Sequence, residues 1–345
     1  MGFHELKSFI PKRCDDVTPG KWNAYMTPEE RIKLILNRQS GFDWGDTYIP
    51  STLAKPREAP KGSRICRLNS RVLGREVHAL STPEKVFTQL ALSHPDLFDL
   101  HEQKMLWPLK SGNPLRGHPL TKGIFLPSVR GTVEVAKEIG FKHYEIAVDL
   151  PDGRRTKIPF PYQGDLSLYL KGAEGIPYAV NWTVKDRKDA FGERRLSNPK
   201  TPVQQKKDRD HAFLRAKLEK MYYASAGIRT VQVSLEELPP TVIANLDLLF
   251  TTHQVPLTLE RSLLDDFSDA VREAVSVGEP VAYLAIKYAE RWGRRDQFIS
   301  KIYQDIWERR LPINFFKPIL IDHPLSTDDG DLLKVYGTLF QEKES

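Results

Sequence analysis

Eight residues, YAVNWTVK at positions 178–185, restrict what this chain can fold into more than any others. Alternation along an extended strand places Tyr178, Val180, Trp182 and Val184 on one face. The opposite face carries Ala179, Asn181, Thr183 and Lys185. The first face is wholly apolar and must meet a core. The second lines up an amide, a hydroxyl and an ammonium group. Lysine is rarely buried, so this face either opens to water or gives Lys185 a task. A half-exposed edge strand is the plain alternative, and the strand alone does not separate the two.

The flanking segments extend the pattern. DLSLYL at 165–170 reads as a second strand, with Asp165, Ser167 and Tyr169 on one side and three leucines on the other. Residues 143–150 read as another, closed by a Pro151-Asp152-Gly153 turn. A long polar helix is predicted over 201–226, with Gly227 at a natural C′ position, and a strand over 228–234. Earlier, residues 63–80 suggest a β-hairpin turning near Asn69 and Ser70. Ser81-Thr82-Pro83-Glu84 opens a helix, and residues 98–103 leave it as a strand. Helix, strands, helix, strand is the order of an α/β fold with a mixed sheet flanked by helices.

Outside this core, residues 1–62 read as an N-terminal arm plus a helix opened by the Thr27-Pro28-Glu29-Glu30 cap. Residues 63–254 would form the core domain, interrupted at 108–142 by a Gly/Pro-rich insertion with one helix near 131–139. Residues 255–345 carry helical periodicity at 258–276, 279–292 and 295–309. They predict a separate, mostly helical interaction domain, winged-helix-like in arrangement.

With 345 residues the chain is long enough for two or three domains. Its two cysteines, Cys14 and Cys66, lack ligand-like neighbours, and their number excludes a cysteine-type zinc site. No run of 18 apolar residues appears, and the N-terminus has no signal-peptide core, so a soluble, intracellular protein with no membrane contact is expected. The net charge is +6, and its placement matters more than its size. Residues 185–220 hold twelve Lys/Arg against six Asp/Glu, an excess equal to that of the whole chain. Lys188, Arg194, Arg195, Lys206 and Lys207 in this stripe suit a phosphate backbone. A solvated helix face is the alternative.

Three residues suggest chemistry. Asp165 starts one strand and Lys185 ends the next, so a short connection between neighbouring strands can bring them together, while a turn-terminating Asp after Gly164 is the alternative. Glu84 is the third. Ser81-x-x-Glu84 is a capping box in its own right, and a carboxylate at a helix start that packs on a sheet can equally ligate a metal. An acid on an early helix, an acid at a strand start and a strand ending in Lys form the pattern of PD-(D/E)xK nucleases. Carboxylates hold Mg²⁺ while leaving waters in place, and the ion activates a water against a phosphodiester. A lysine offsets charge that develops in the transition state.

The stretch from 63 to about 249 resembles the TnsA family, the endonuclease subunits of heteromeric bacterial transposons. Gly74 through Ser81 followed by Glu84 resembles that family's Gly-Arg-Val-His hairpin and acidic helix. Asp99-Leu100-His101-Glu102-Gln103 is similar to its Asp-Ile-Arg-Glu-Gln strand. Asp165-Leu166 resembles its Asp-Phe, and Thr183-Val184-Lys185 its Gln-Val-Lys. Lys217-Leu218-Glu219-Lys220 with Tyr222, Tyr223 and Ile228 is similar to its Leu-Glu-Arg-Arg-Tyr helix and following strand. The match spans roughly half the chain in short motifs held in order.

The resemblance implies a restriction-endonuclease-like fold and a Mg²⁺-dependent DNA endonuclease, with Mn²⁺ as a substitute. It implies Glu84 and Asp165 as metal carboxylates and Lys185 as the catalytic lysine. Position 183 would add a metal ligand, and Gln103 and Glu219 would stand near the site in support. Thr183 departs from the family's Gln, and Asn181 on the same face is the alternative ligand. Implied partners are transposon-end DNA, a DDE-type transposase like TnsB and an AAA+ regulator like TnsC, in the bacterial cytoplasm. The alternative function is a non-catalytic DNA-binding or assembly subunit that keeps the fold.

Overall fold

The structure, a computed structural model, describes residues 26–149, 154–192 and 201–343. Helix α1 (Pro28–Gln39) opens on a full capping box, in which the Thr27 hydroxyl accepts from Glu30 N and Thr27 N donates to the Glu30 carboxylate at 2.7 Å. Strands β1 (Cys66–Ser70) and β2 (Arg75–Ala79) form an antiparallel hairpin. Its turn falls at Arg71–Gly74 rather than near Asn69 and Ser70, because Ser70 still pairs with Arg75 and Gly74 supplies the left-handed residue at φ 66°. Helix α2 (Thr82–Leu92) and β3 (Leu97–Glu102) follow.

Strand β4 (Met105–Leu106) comes next, the 108–142 insertion carries α3 (Thr132–Glu138), and β5 (Glu145–Asp149), β6 (Arg155–Pro159) and β7 (Tyr162–Gln163) follow it. The turn expected at 151–153 lies outside the described residues. Strands β8 (Leu166–Lys171) and β9 (Pro177–Lys185), helix α4 (Pro202–Ala224) and β10 (Arg229–Ser234) complete the core.

The main sheet has the order β10-β9-β8-β3. Strand β8 runs antiparallel to both its neighbours, β3 and β9, while β10 runs parallel to β9. The long α4 connection explains the switch: a parallel return to the neighbouring place needs a crossover, which a tight turn cannot make. The sheet is therefore mixed, with helices on both faces.

Binary patterning assigns the faces. Leu166, Leu168, Leu170, Val180, Trp182 and Val184 pack with Phe87 and Leu90 of α2. Tyr169 and Ala179 pack on the other side with Tyr222, Tyr223 and Ile228. The polar residues of β8 and β9 thus face α4, not water. Asn181 and Ser167 are buried, which rules out a solvent-facing edge for this part of β9.

Helix α5 (Pro240–Thr252) has no counterpart in the sequence expectation, and it joins two layers. It packs against α2 and against α8 (Arg295–Trp307), which stands with α6 (Arg261–Ser276) and α7 (Val281–Trp292). Asn245 of α5 donates to Phe315 O at 2.9 Å and Lys317 O at 2.8 Å. After the short α9 (Leu332–Tyr336) the chain returns to the sheet, where Trp182 Nε1 donates to Leu339 O at 2.9 Å and the Phe340 ring lies 4.9 Å from that of Trp182. One apolar cluster holds residues from both sides of position 254, from Leu68 to Phe340. The expected winged-helix arrangement is corrected: among the described residues, 255–343 contain no strand, and a wing requires a hairpin.

Candidate active site

The acid on α2 is positioned by the helix start itself. Ser81 is the N-cap and its hydroxyl accepts from Glu84 N. The Glu84 carboxylate turns back and accepts from Ser81 Oγ at 2.9 Å and from Leu80 N at 2.9 Å. The helix thereby fixes a carboxylate that reaches toward the end of the sheet. Its third partner is distant in sequence: Gln103 Nε2 donates to Glu84 Oε2 at 2.9 Å. The capping and site readings of Glu84 are thus not exclusive.

Gln103 links the two acids. It follows β3 at φ 49°, a left-handed conformation uncommon outside glycine. Four bonds hold it there. Its N–H donates to Asp165 O at 3.0 Å, its carbonyl accepts from Ser51 N at 3.2 Å and from Ser51 Oγ, and its amide reaches Glu84. Asp165 begins one residue before β8, and its Oδ2 accepts from Val184 N of β9 at 2.7 Å. Gly164 beside it is closely packed: a Cβ there would meet Tyr223 Oη at 3.1 Å and Asn181 Oδ1 at 3.3 Å, so these side chains would have to give by a few tenths of an ångström.

Electrostatics tie the residues into one site. Burial pushes the Glu84 carboxyl up to about 7, and the Asp165 charge adds to the rise, while Lys185 opposes it. Burial also raises Asp165, with Lys185 pulling down and Glu219 pushing up. Two neighbouring carboxylates withdrawn from water disfavour each other's ionisation. Such a pair favours a cation between them.

Glu219 on α4 is buried and heavily bonded. It accepts from Asn181 Nδ2 at 2.9 Å, Thr183 Oγ1 at 3.1 Å and Arg215 Nη1 at 3.0 Å. Arg215 also donates to Gln163 O at 3.1 Å and stacks 4.5 Å over the Tyr162 ring. The polar face of β9 therefore turns toward α4 and this acid. The Thr183 hydroxyl and the Asn181 Nδ2 are both spent on Glu219, while Asn181 Oδ1 is buried without a hydrogen-bond partner beside Gly164. Arg215 escaped the sequence reading, although its i, i+4 spacing from Glu219 was a readable signal.

The structure brings Glu84, Gln103, Asp165 and Lys185 together, with Thr183, Asn181 and Glu219 alongside. Lys188, Lys206 and Lys207 are exposed, and Lys188 pairs with Glu237 at 2.8 Å. Arg194 and Arg195 lie outside the described residues. Glu102 serves the frame: Arg75 grips it with two bonds of 2.8 Å, and its Oε1 also accepts from His78 N at 2.9 Å.

Among the described residues, no three His, Cys, Asp or Glu side chains form a metal-binding group. A hard divalent ion does not need three, since Mg²⁺ commonly takes one or two carboxylates and completes its shell with water. Glu84 and Asp165 fit that demand in kind and number. No family model and no curated protein matches the chain.

Proposed function

We propose that this chain is a metal-dependent DNA endonuclease with a restriction-endonuclease-like core, acting as the cutting subunit of a transposition complex. One observation carries the proposal. Glu84 and Asp165, from a helix start and a strand start, share an electrostatic site with Lys185 at the end of the adjacent strand. The element order α2, β3, β8, β9, α4, β10 supports it. So does the resemblance of the same segments to the TnsA family.

In this reading Glu84 and Asp165 hold the metal ion. Bound there, Mg²⁺ supplies Lewis acidity toward the scissile phosphate and lowers the pKa of an attacking water. Gln103 and Val184 N orient the two carboxylates. Lys185 stands where it offsets negative charge as the phosphorane-like state develops. The exposed cations of α4, Lys206 and Lys207, meet the DNA backbone beside the site. Transposon-end DNA, a DDE-type transposase and an AAA+ regulator are the proposed partners.

A nicking assay on transposon-end duplex, with the partner transposase and Mg²⁺, tests the proposal. Asp165→Asn should lose cutting at the 5′ ends and keep DNA binding. Undiminished cutting by this variant rejects the site.

One observation favours a second reading. Thr183 and Asn181 both donate to Glu219, so the polar face of β9 is tied to the acid on α4. A subunit that retains the fold for binding and assembly would behave this way. Absence of cutting by the parent protein under all divalent ions, with DNA binding intact, would select it.

A further inference from the structure

The segment between β4 and α3 is a built surface. An isolated antiparallel bridge joins Ser111 to Val129 and closes residues 112–128 into a loop. Asn113 pins the base, donating to Pro127 O at 2.8 Å and Ala226 O at 3.0 Å and accepting from Leu115 N at 2.9 Å. Buried Thr121 donates to His118 O at 2.7 Å. Leu115 and Val129 sit in the cluster that holds Tyr169, Ala179 and Tyr223. A loop closed on itself and packed by its own side chains is of the Ω kind, a frequent carrier of function.

Its outer face is unusual in two independent ways. Phe125 is 88% exposed, with Leu120 and Ile124 exposed beside it, on a groove of about 580 Å³. Gly123, at φ 81°, makes the turn that lifts Ile124 and Phe125 outward. The second feature is charge. From Gln103 to Val133 the sequence contains no Asp or Glu, and it carries five Lys or Arg. Arg130 is neutralised by Glu134 and Glu138, and Lys104 lies over the Tyr48 ring. Lys110, Arg116 and Lys122 are exposed, and none forms an ion pair among the described residues. In the stripe at 185–220, by comparison, Lys188 and Arg215 are paired with Glu237 and Glu219.

Cations without counter-charges around a bare aromatic complement a polyanion that also has flat apolar faces. We propose that the 112–128 loop is a DNA-contact arm, in which Lys110, Arg116 and Lys122 meet duplex phosphates and Phe125 wedges against the base stack from the minor groove. Apolar wedges beside phosphate-binding cations are a recurrent way to grip and kink a duplex. The loop packs over the sheet row of Tyr169 and Ala179. That row is roughly 13 Å along β9 from Thr183 at ~3.3 Å per residue. One duplex turn, about 34 Å long, spans both regions. The proposal deepens the nuclease reading and rests on DNA being the substrate.

The test uses the full chain and a duplex labelled with 2-aminopurine, with binding read by anisotropy in Ca²⁺ at several salt concentrations. Replacing Lys110, Arg116 and Lys122 together by Ala should weaken binding at least about tenfold. It should also lower the log–log salt slope by two to three, at ~0.9 per phosphate contact. Phe125→Ala should keep the slope and lose the rise in 2-aminopurine fluorescence, and Phe125→Leu should restore part of it. Thermal melting confirms that these surface variants fold. Parent-like affinity, slope and fluorescence in both variants overturns the proposal, as does loss of binding to a protein partner with DNA binding unchanged. Cutting in Mg²⁺ is read separately against Asp165→Asn. A chain that binds through the arm yet never cuts rejects the nuclease reading alone.

Discussion

Gln103 shows how much one side chain can organise. It occupies a left-handed backbone position and bonds both acids of the site. Gln103→Ala keeps the conformational penalty and removes the Glu84 bond. A buried hydrogen bond to a carboxylate contributes about 1.5–3 kcal/mol, so urea unfolding should register a loss of that order. Metal affinity should fall with it, because Glu84 loses its link to β3. Titration calorimetry with Mn²⁺ measures this, and unchanged affinity would contradict the linking role.

Proton linkage gives two further tests at this scale. Glu84 has an ordinary value of 4.5, raised to about 7 in the folded chain by burial and then by Asp165. The folded state therefore keeps a proton that the unfolded chain releases. That stabilising difference is complete below 4.5 and disappears as pH rises through about 7. Under the proposed metal site a divalent cation would replace the proton, so the rise in Tm on adding Mg²⁺ should be larger near pH 8 than near pH 5. Equal rises at both would argue against ligation by Glu84.

His101 runs the other way. Burial, reinforced by the charge of Lys104, drives it from 6.5 down to about 3. The unfolded chain gains this proton near 6.5 and the folded chain refuses it, so stability is lost as pH falls below that value. Its ring stacks on Tyr48 at 3.8 Å, and its Nε2 stands 3.6 Å from Asp99 Oδ2, whose charge only partly opposes the fall. His101→Phe keeps the stack and removes the titration, and acid-unfolding curves should shift to lower pH.

At the scale of elements, the polar face of β9 and helix α4 form one unit. Arg215→Ala strips Glu219 of its counter-charge while Asn181 and Thr183 remain. Removing one partner of a buried pair costs about 3–5 kcal/mol, and the partial exposure of Arg215 places this case near or below the lower end. Denaturant midpoints of Arg215→Ala and Arg215→Lys check it. A neutral result would show that Glu219 does not depend on Arg215.

The strands of the core were legible because each carries a two-residue alternation bounded by turn residues. Residues 166–171, 177–185 and 229–234 fall close to the expected spans. The short β4 and β7 were not, since two-residue strands carry no period. Helix α5 was missed because PTVIANLDLLFTT is apolar on several sides, as suits a helix covered by two layers. Glu84, Asp165 and Lys185 were readable as residue types at suggestive places. What sequence could not supply was the direction of Asn181 and Thr183, which depends on the α4 side chains opposite them.

At the scale of the molecule, the apolar cluster shared by residues on both sides of position 254 predicts cooperative unfolding. Far-ultraviolet circular dichroism and tryptophan emission should melt together. Two separate transitions would show that the C-terminal helices are independently stable. The boundary expected near 254 came from a change in helical periodicity, a local property. Whether a core divides there depends on contacts between elements far apart in sequence, and no periodicity reports those.

The anchoring of Leu339 and Phe340 on Trp182 has a mechanical consequence. Trp182 stands between Asn181 and Thr183, one step from the strand positions that face Glu219. Any force that peels the C-terminal tail from its seat is delivered directly to the backbone of that strand. The 337–340 turn and the strand edge beside the candidate site are one lever, with the indole as its fulcrum.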